Sequence, residues 1–279
     1  MRNHFFSRLL GNIYVANIKW LMAERVIRLL IMALVGIYVA RYLGPERFGL
    51  LSFSQSYVAM FIILASLGLE GVVIRELVNR PEGDAEILGS AFLLKIVGNM
   101  LMWVCLGLSL LIFDFSAQDS LLVTVLATGV IFQSFSVIDF YFQSRVESKY
   151  VTIAQFTQLA FSTALKIFLV ISSAKIIWFA VVLTLDHLFL ALGQIVIYHR
   201  KGGDLLAWSF RASLAKRMLV NSFPILIYAF FVMTLWKIDQ IMIRVLRNET
   251  EVGWYAAAAM ISSTWYFVPV VFGSTFNPY

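Results

Sequence analysis

Ile176-Ile-Trp-Phe-Ala-Val-Val-Leu-Thr-Leu-Asp-His-Leu-Phe-Leu-Ala-Leu-Gly-Gln-Ile-Val-Ile-Tyr198 is a run of 23 residues holding one acid, one histidine and no other ionisable group except its last tyrosine. Wound as a helix it rises about 35 Å, against a bilayer hydrocarbon core of about 30 Å. Nothing in hydrocarbon hydrates a peptide group, so a crossing segment closes its own hydrogen bonds as a helix or joins a closed barrel. A barrel strand needs only about ten residues of alternating polarity. This run neither alternates nor stops there, so it predicts a transmembrane helix.

Working outward, hydrophilic punctuation divides the chain into seven crossings and the start of an eighth. They are predicted over Lys19 to Arg41, Phe48 to Leu69, Ile87 to Phe113, Ser120 to Phe140, Val151 to Ser173, Ile176 to Tyr198 and Met218 to Ile238, the eighth opening at Trp254. Gly44-Pro45 makes the first turn. The expected fold class is all-α: a polytopic transmembrane helical bundle, with a six-helix bundle over 1–200, a connecting loop over 201–217 and the first helices of a second bundle over 218–279. Composition agrees, because a soluble globule with 61% hydrophobic and 14% charged residues could not cover its own surface. Cys105 is the only cysteine, which leaves no disulfide framework and no cysteine-rich metal site. Glu24, Arg25 and Arg28 interrupt the first apolar run and no small-residue cleavage pattern follows, so the first helix is expected to be retained.

Positive charge is kept on the cytoplasmic side of a membrane. Of the 22 Lys and Arg residues, twelve fall in the loops on the side of the N-terminus: Arg2, Arg8, Lys19, Arg75, Arg80, Arg145, Lys149, Arg200, Lys201, Arg211, Lys216 and Arg217. Five fall on the other side: Arg41, Arg47, Lys175, Arg244 and Arg247. The N-terminus and the loop around Gly202 are therefore predicted cytoplasmic. Attraction of those loops to anionic membrane lipids accounts for the net charge of +6 without a nucleic-acid partner.

The remaining five cations, Arg25, Arg28, Lys95, Lys166 and Lys237, fall inside crossings, where an ionisable group is costly and faces protein or a wet cavity. Lys237 sits beside Asp239 at a helix end and can snorkel to the interface. Arg25 and Arg28 share a helical face roughly 9 and 14 Å past Lys19. Glu24 precedes Arg28 by four, an ion-pair spacing, which leaves Arg25 uncompensated in its own helix. Lys95 lies in a small and polar stripe with Ala91, Gly98, Asn99 and Met102, expected to line a cavity. Gln155, Gln158, Ser162, Lys166 and Ser173 form a polar stripe through the fifth crossing, the mark of an inward face. Ser52, Gln55, Ser56, Ala59 and Ser66 repeat similarly in the second crossing, a pattern that close helix packing also produces. Asp186-His187 lies about ten residues from either end of the sixth crossing. Two readings stand for it: an ion-coupling site, or charge compensation of Lys166 or an arginine.

Cations thus outnumber anions inside the bundle at several depths, as a pathway for an anionic group such as a phosphate requires. Enzymatic signatures are missing: there is no HExxH, GxSxG, P-loop lysine, DxD pair or cysteine or histidine cluster, and His4, His187 and His199 are scattered. No cofactor, metal or covalent chemistry is expected. Transport is the favoured class, ahead of a membrane-bound transferase or a non-transporting scaffold.

Arg41-Tyr-Leu-Gly-Pro-Glu-Arg-Phe-Gly-Leu50, Ser66-Leu-Gly-Leu-Glu-Gly71 and Arg75-Glu76-Leu77 come in sequence near the start. Asp139-Phe-Tyr-Phe-Gln143 with Lys149-Tyr150, and Lys237-Ile-Asp-Gln-Ile241 with Glu251-Val-Gly-Trp-Tyr-Ala256, follow later. As a set these resemble bacterial polysaccharide repeat-unit flippases, the O-antigen and exopolysaccharide translocases of the multidrug/oligosaccharidyl-lipid/polysaccharide exporter superfamily, from about residue 10 to the end. The resemblance implies a MATE-like transporter fold, two helical bundles facing each other across a cavity that opens to alternate sides. It implies a lipid-linked oligosaccharide substrate, an undecaprenyl diphosphate bearing a short saccharide, crossing the bacterial inner membrane, and other glycan-assembly membrane proteins as partners. Arg25, Arg28, Lys95 and Lys166 are the candidates for the diphosphate path, with Asp186 and His187 for ion coupling. Such flippases have twelve to fourteen crossings, so these 279 residues are expected to hold the first bundle and the beginning of the second, and not to transport alone. A transferase or polymerase of the same glycan pathway, or a drug or cation exporter of the same superfamily, are the alternatives; the latter should show intramembrane acids instead of a surplus of cations.

Overall fold

Gly44 takes φ 72° and ψ 169°, a left-handed φ that suits glycine, and Pro45 follows with no backbone N–H to donate. The first helical stretch, α1 (Arg2–Ser66), is therefore two helices joined at this turn, which are the first two predicted crossings. The computed structural model describes residues 2–113, 115–147 and 149–263, and side chains from 28 to 262 apart from 114 and 148. Arg25 and Glu24 fall outside the described side chains, and the chain beyond 263 falls outside altogether.

After α1 come α2 (Glu70–Asn79), α3 (Asp84–Ile112), α4 (Ala117–Val130), a tighter 3-10 stretch (Ile131–Ser136), α5 (Val137–Ser144), α6 (Lys149–Ile171), α7 (Ile176–Arg200), α8 (Ala212–Leu246) and α9 (Glu249–Ser263). No strand occurs among the described residues. Six stretches are long and apolar enough to cross a membrane, the first of them containing both halves of α1. Several boundaries differ from the sequence reading, α8 continuing to Leu246 past the expected Ile238 and α9 opening at Glu249 before the expected Trp254. The fourth crossing is not one helix but α4 and α5 separated by the 3-10 stretch. α8 starts at Ala212, not Met218, because Lys216 and Arg217 continue the helix past the apolar run.

Side-chain contacts fix the directions. Arg28 meets Gln155, and Tyr42 Oη donates to the Ala174 carbonyl at 2.9 Å, so the first half of α1 runs alongside α6 in the same sense. In the second half Phe53 and Tyr57 stack on Phe115, and Leu64 and Ala65 lie against Gly98, which makes it antiparallel to α3. The bundle thus has one end holding the turns at 44–45, 115–116, 172–175 and 247–248, and an opposite end holding 67–83, 145–147 and 201–211.

Lipid tails are as apolar as leucine, so helix association here rests on packing and polar contacts. The buried side chains form two clusters, one around Phe53, Met102, Val123 and Phe179 and the other around Leu69, Leu88, Ile138 and Met218. Gly49 of α1 and Gly253 of α9 let the two backbones approach so closely that a Cβ on either would overlap a carbonyl oxygen of the other helix, that of Glu249 for Gly49 and that of Pro45 for Gly253.

Ion pairs grip α8 at both ends. At the first end Arg244 donates to Asp119 of α4 at 3.2 Å and to Glu249 of α9 at 2.6 Å, its guanidinium 5.7 Å from the Phe53 ring centre. Ser116 caps α4, accepting from the Asp119 N–H at 3.1 Å and donating to its carboxylate at 2.8 Å. At the opposite end Arg217 meets Glu76 at 2.7 Å and Arg211 meets Glu86 at 2.9 Å. Asp119 is fully buried, so Asp119→Ala is expected to cost about 2 kcal/mol by leaving Arg244 half-satisfied. Glu249→Gln should cost less, because Glu249 is one-third exposed. Thermal midpoints of the detergent-purified variants test the order; equal midpoints would remove Asp119 from the grip.

Candidate functional site

The polar stripe of α6 turns inward. Lys166 Nζ donates to Asp186 Oδ2 of α7 at 3.2 Å, and Ser162 Oγ donates to the same oxygen at 2.9 Å. The other oxygen, Asp186 Oδ1, is buried and accepts no hydrogen bond. Of the two sequence readings of Asp186, charge compensation of Lys166 is thus realised in the geometry. The pair sits at a wall, the side chains 21% and 17% exposed. Lys166 and Ser162 line a cavity of about 190 Å³, with Gln55 and Gly36 from the two halves of α1, Thr163 from α6, Phe179 and Leu183 from α7 and Met260 from α9. A few polar groups in a largely apolar hollow orient one small charged group.

Arg28 lies on the same α1–α6 contact, donating to Gln155 Oε1, with its guanidinium 6.0 Å from the Phe156 ring centre. Gln155 precedes Lys166 by eleven residues, about 16 Å along the helix. Arg28 on α1 and Lys166 on α6 are therefore set at different heights along the α1–α6 contact.

Lys95 is elsewhere. It is 5% exposed, its ammonium donating to Ser136 Oγ at 2.7 Å and lying 5.4 Å from the Phe140 ring centre. Asn99 donates to Ser134 Oγ at 3.0 Å and to the Lys95 carbonyl at 2.9 Å. Ser134 and Ser136 belong to the 3-10 stretch, so Lys95 and Asn99 supply polar partners where the fourth crossing loses α-helical form. The stripe Ala91, Lys95, Gly98, Asn99, Met102 is buried throughout, a packing face instead of the cavity wall its pattern suggested. His187 faces away from the cavity toward Gly129, where α4 and α7 approach closely and Thr184 Oγ1 donates to the Val125 carbonyl at 2.7 Å.

Ser56 Oγ donates to Gln240 Oε1 at 2.7 Å, tying the second-crossing stripe to α8, while its neighbour Gln55 turns to the cavity. Sequence reasoning missed the Asp119–Arg244–Glu249 cluster. Its one local signal is Ser116-Ala-Gln-Asp119, which has the spacing of a helix-start capping box. Among the described residues no three His, Cys, Asp or Glu side chains come together as metal ligands.

A family model described as polysaccharide biosynthesis protein matches residues 14–277, nearly the whole chain. Comparison with curated proteins finds no match, and comparison with solved structures finds none either. With that match and six membrane-capable stretches, the chain is a multi-pass membrane protein and belongs to the polysaccharide biosynthesis protein family.

Proposed function

We propose that this protein is a flippase that moves undecaprenyl-diphosphate-linked oligosaccharide repeat units across the cytoplasmic membrane for surface polysaccharide synthesis. The observation that carries this reading is Lys166, a cation on the wall of a cavity lined by α1, α6, α7 and α9. A diphosphate carries charge through hydrocarbon only where protein replaces its water, and a lysine at depth supplies the countercharge. Family membership agrees, since members of this family are generally transporters.

Arg28, with Arg25 beside it in sequence, is the entry step at the cytoplasmic end and Lys166 the deeper step, with the N-terminus on the cytoplasmic side. A hollow of about 190 Å³ suits a phosphate-sized group and not a saccharide. The sugar therefore passes in a wider state, reached as MATE-like bundles rock between inward-open and outward-open forms. No bond is made or broken.

The test is complementation of a strain lacking its repeat-unit flippase, with the native full-length protein and its Arg28→Ala and Lys166→Ala variants at matched membrane levels. Surface glycan restored by the parent and reduced at least about tenfold by Lys166→Ala is expected, as for loss of a charge contact worth more than about 1.4 kcal/mol. A well-expressed parent that restores nothing in its own glycan background would shift the assignment to a transferase or scaffold.

A further inference from the structure

The cavity wall carries its own anion. Asp186 already occupies Lys166, through an oxygen that Ser162 also holds at 2.9 Å. A substrate phosphate can take the ammonium only by displacing that carboxylate. The surrounding solvent makes this consequential, because a membrane is built of phosphodiester lipids that carry one negative charge per phosphate and vastly outnumber any lipid-linked saccharide. A bare lysine facing a hollow between helices would be filled by them.

We propose that Asp186 is the specificity-determining residue of the site, an internal competitor that keeps singly charged phosphodiesters off Lys166 and yields to a diphosphate. The inference rests on the diphosphate reading of Lys166. Exchanging one monoanion for another gains nothing in Coulomb energy and leaves a carboxylate unpaired at depth, which is strongly unfavourable. A diphosphate brings at least twice the charge and more acceptor oxygens, so it can offset that loss. Ser162 donates to the same carboxylate oxygen as Lys166, so it helps hold the carboxylate at the ammonium against a singly charged competitor. Selectivity is thus obtained by a repulsive element as well as an attractive one. Lys166 across on α6 and His187 next to it on α7 are the charged and titratable groups beside Asp186, and α4 brings Gly129 and the Val125 carbonyl against that part of α7.

The test uses the native full-length protein in detergent micelles, titrated with farnesyl diphosphate, with phosphatidylglycerol added as the competitor. In the parent, competitor in excess should change the apparent Kd less than about twofold; in Asp186→Asn, diphosphate should bind more tightly and the same competitor weaken it by about tenfold or more. Ser162→Ala, which loosens the carboxylate without removing it, should tighten diphosphate binding less than Asp186→Asn does, and serves if the asparagine variant fails to fold. Discrimination unchanged in both variants, or a parent that does not discriminate, overturns the proposal. Lys166→Ala separates the layers: if it binds farnesyl diphosphate as the parent does, the diphosphate site itself is wrong. If it loses binding while Asp186→Asn and Ser162→Ala keep the parent's selectivity, only the role of Asp186 falls.

Discussion

Gly253→Leu is expected to keep α9 from docking on α1 and to remove most of the folded protein at matched transcription. The atom that a new Cβ would overlap is the Pro45 carbonyl oxygen, and on the other side of the contact the Glu249 carbonyl stands equally close to Gly49. Both obstacles are backbone, which cannot turn aside as a flexible side chain can. Even alanine should cost about 1–3 kcal/mol as overpacking, and leucine more. In lipid the loss is not made good by hydrophobic burial elsewhere, because small residues at the crossing are what let helices associate. Gly107→Leu is the control, since a Cβ there meets nothing within 4 Å and leucine is the better helix former. Size-exclusion yield and thermal midpoint decide: a Gly253→Leu protein melting alongside Gly107→Leu would mean that the close approach does not hold the fold.

The second large effect concerns the pair at the cavity. Lys166→Ala leaves Asp186 as a half-buried, uncompensated carboxylate held by Ser162 alone, a change expected to cost about 1–3 kcal/mol of stability. Asp186→Asn alone should cost less, because Lys166 is 21% exposed and reaches the hollow. Combining the two removes both charges and should return most of the stability lost by Lys166→Ala, giving a coupling of about 1–3 kcal/mol in the double-mutant cycle. Transport should not return, since the countercharge for the diphosphate is gone. A double variant that is stable and also restores surface glycan would make Lys166 a structural partner of Asp186 and nothing more.

The crossings were legible because bilayer thickness fixes run length, so Ile176–Arg200 and Lys149–Ile171 follow closely from apolar runs. The break at Ile131–Ser136 was not, since Gln133, Ser134 and Ser136 suit an unbroken crossing helix as well; the partners of the two serines, Lys95 and Asn99, lie across the bundle. The same side chains explain the misread stripe on α3: a polar face that satisfies a neighbouring helix has the same sequence pattern as one that lines water. Lys166 and Asp186 were each visible as costly charges at depth, and one reading of Asp186 was the pairing with Lys166. Arg244 and Asp119 were not, because 125 positions separate them and each alone is a plausible loop-end charge.

The Gly49–Gly253 contact joins parts of the chain about two hundred residues apart. At roughly 5–20 residues per second of synthesis, α1 is in place roughly 10–40 s before its partner exists. The seam that closes this end of the bundle therefore forms only after α1 to α8 have been made, and it cannot be hurried by anything encoded earlier in the chain. Substitutions along it should act first on how long the nascent protein stays open to membrane proteases, and so on how many copies a cell accumulates.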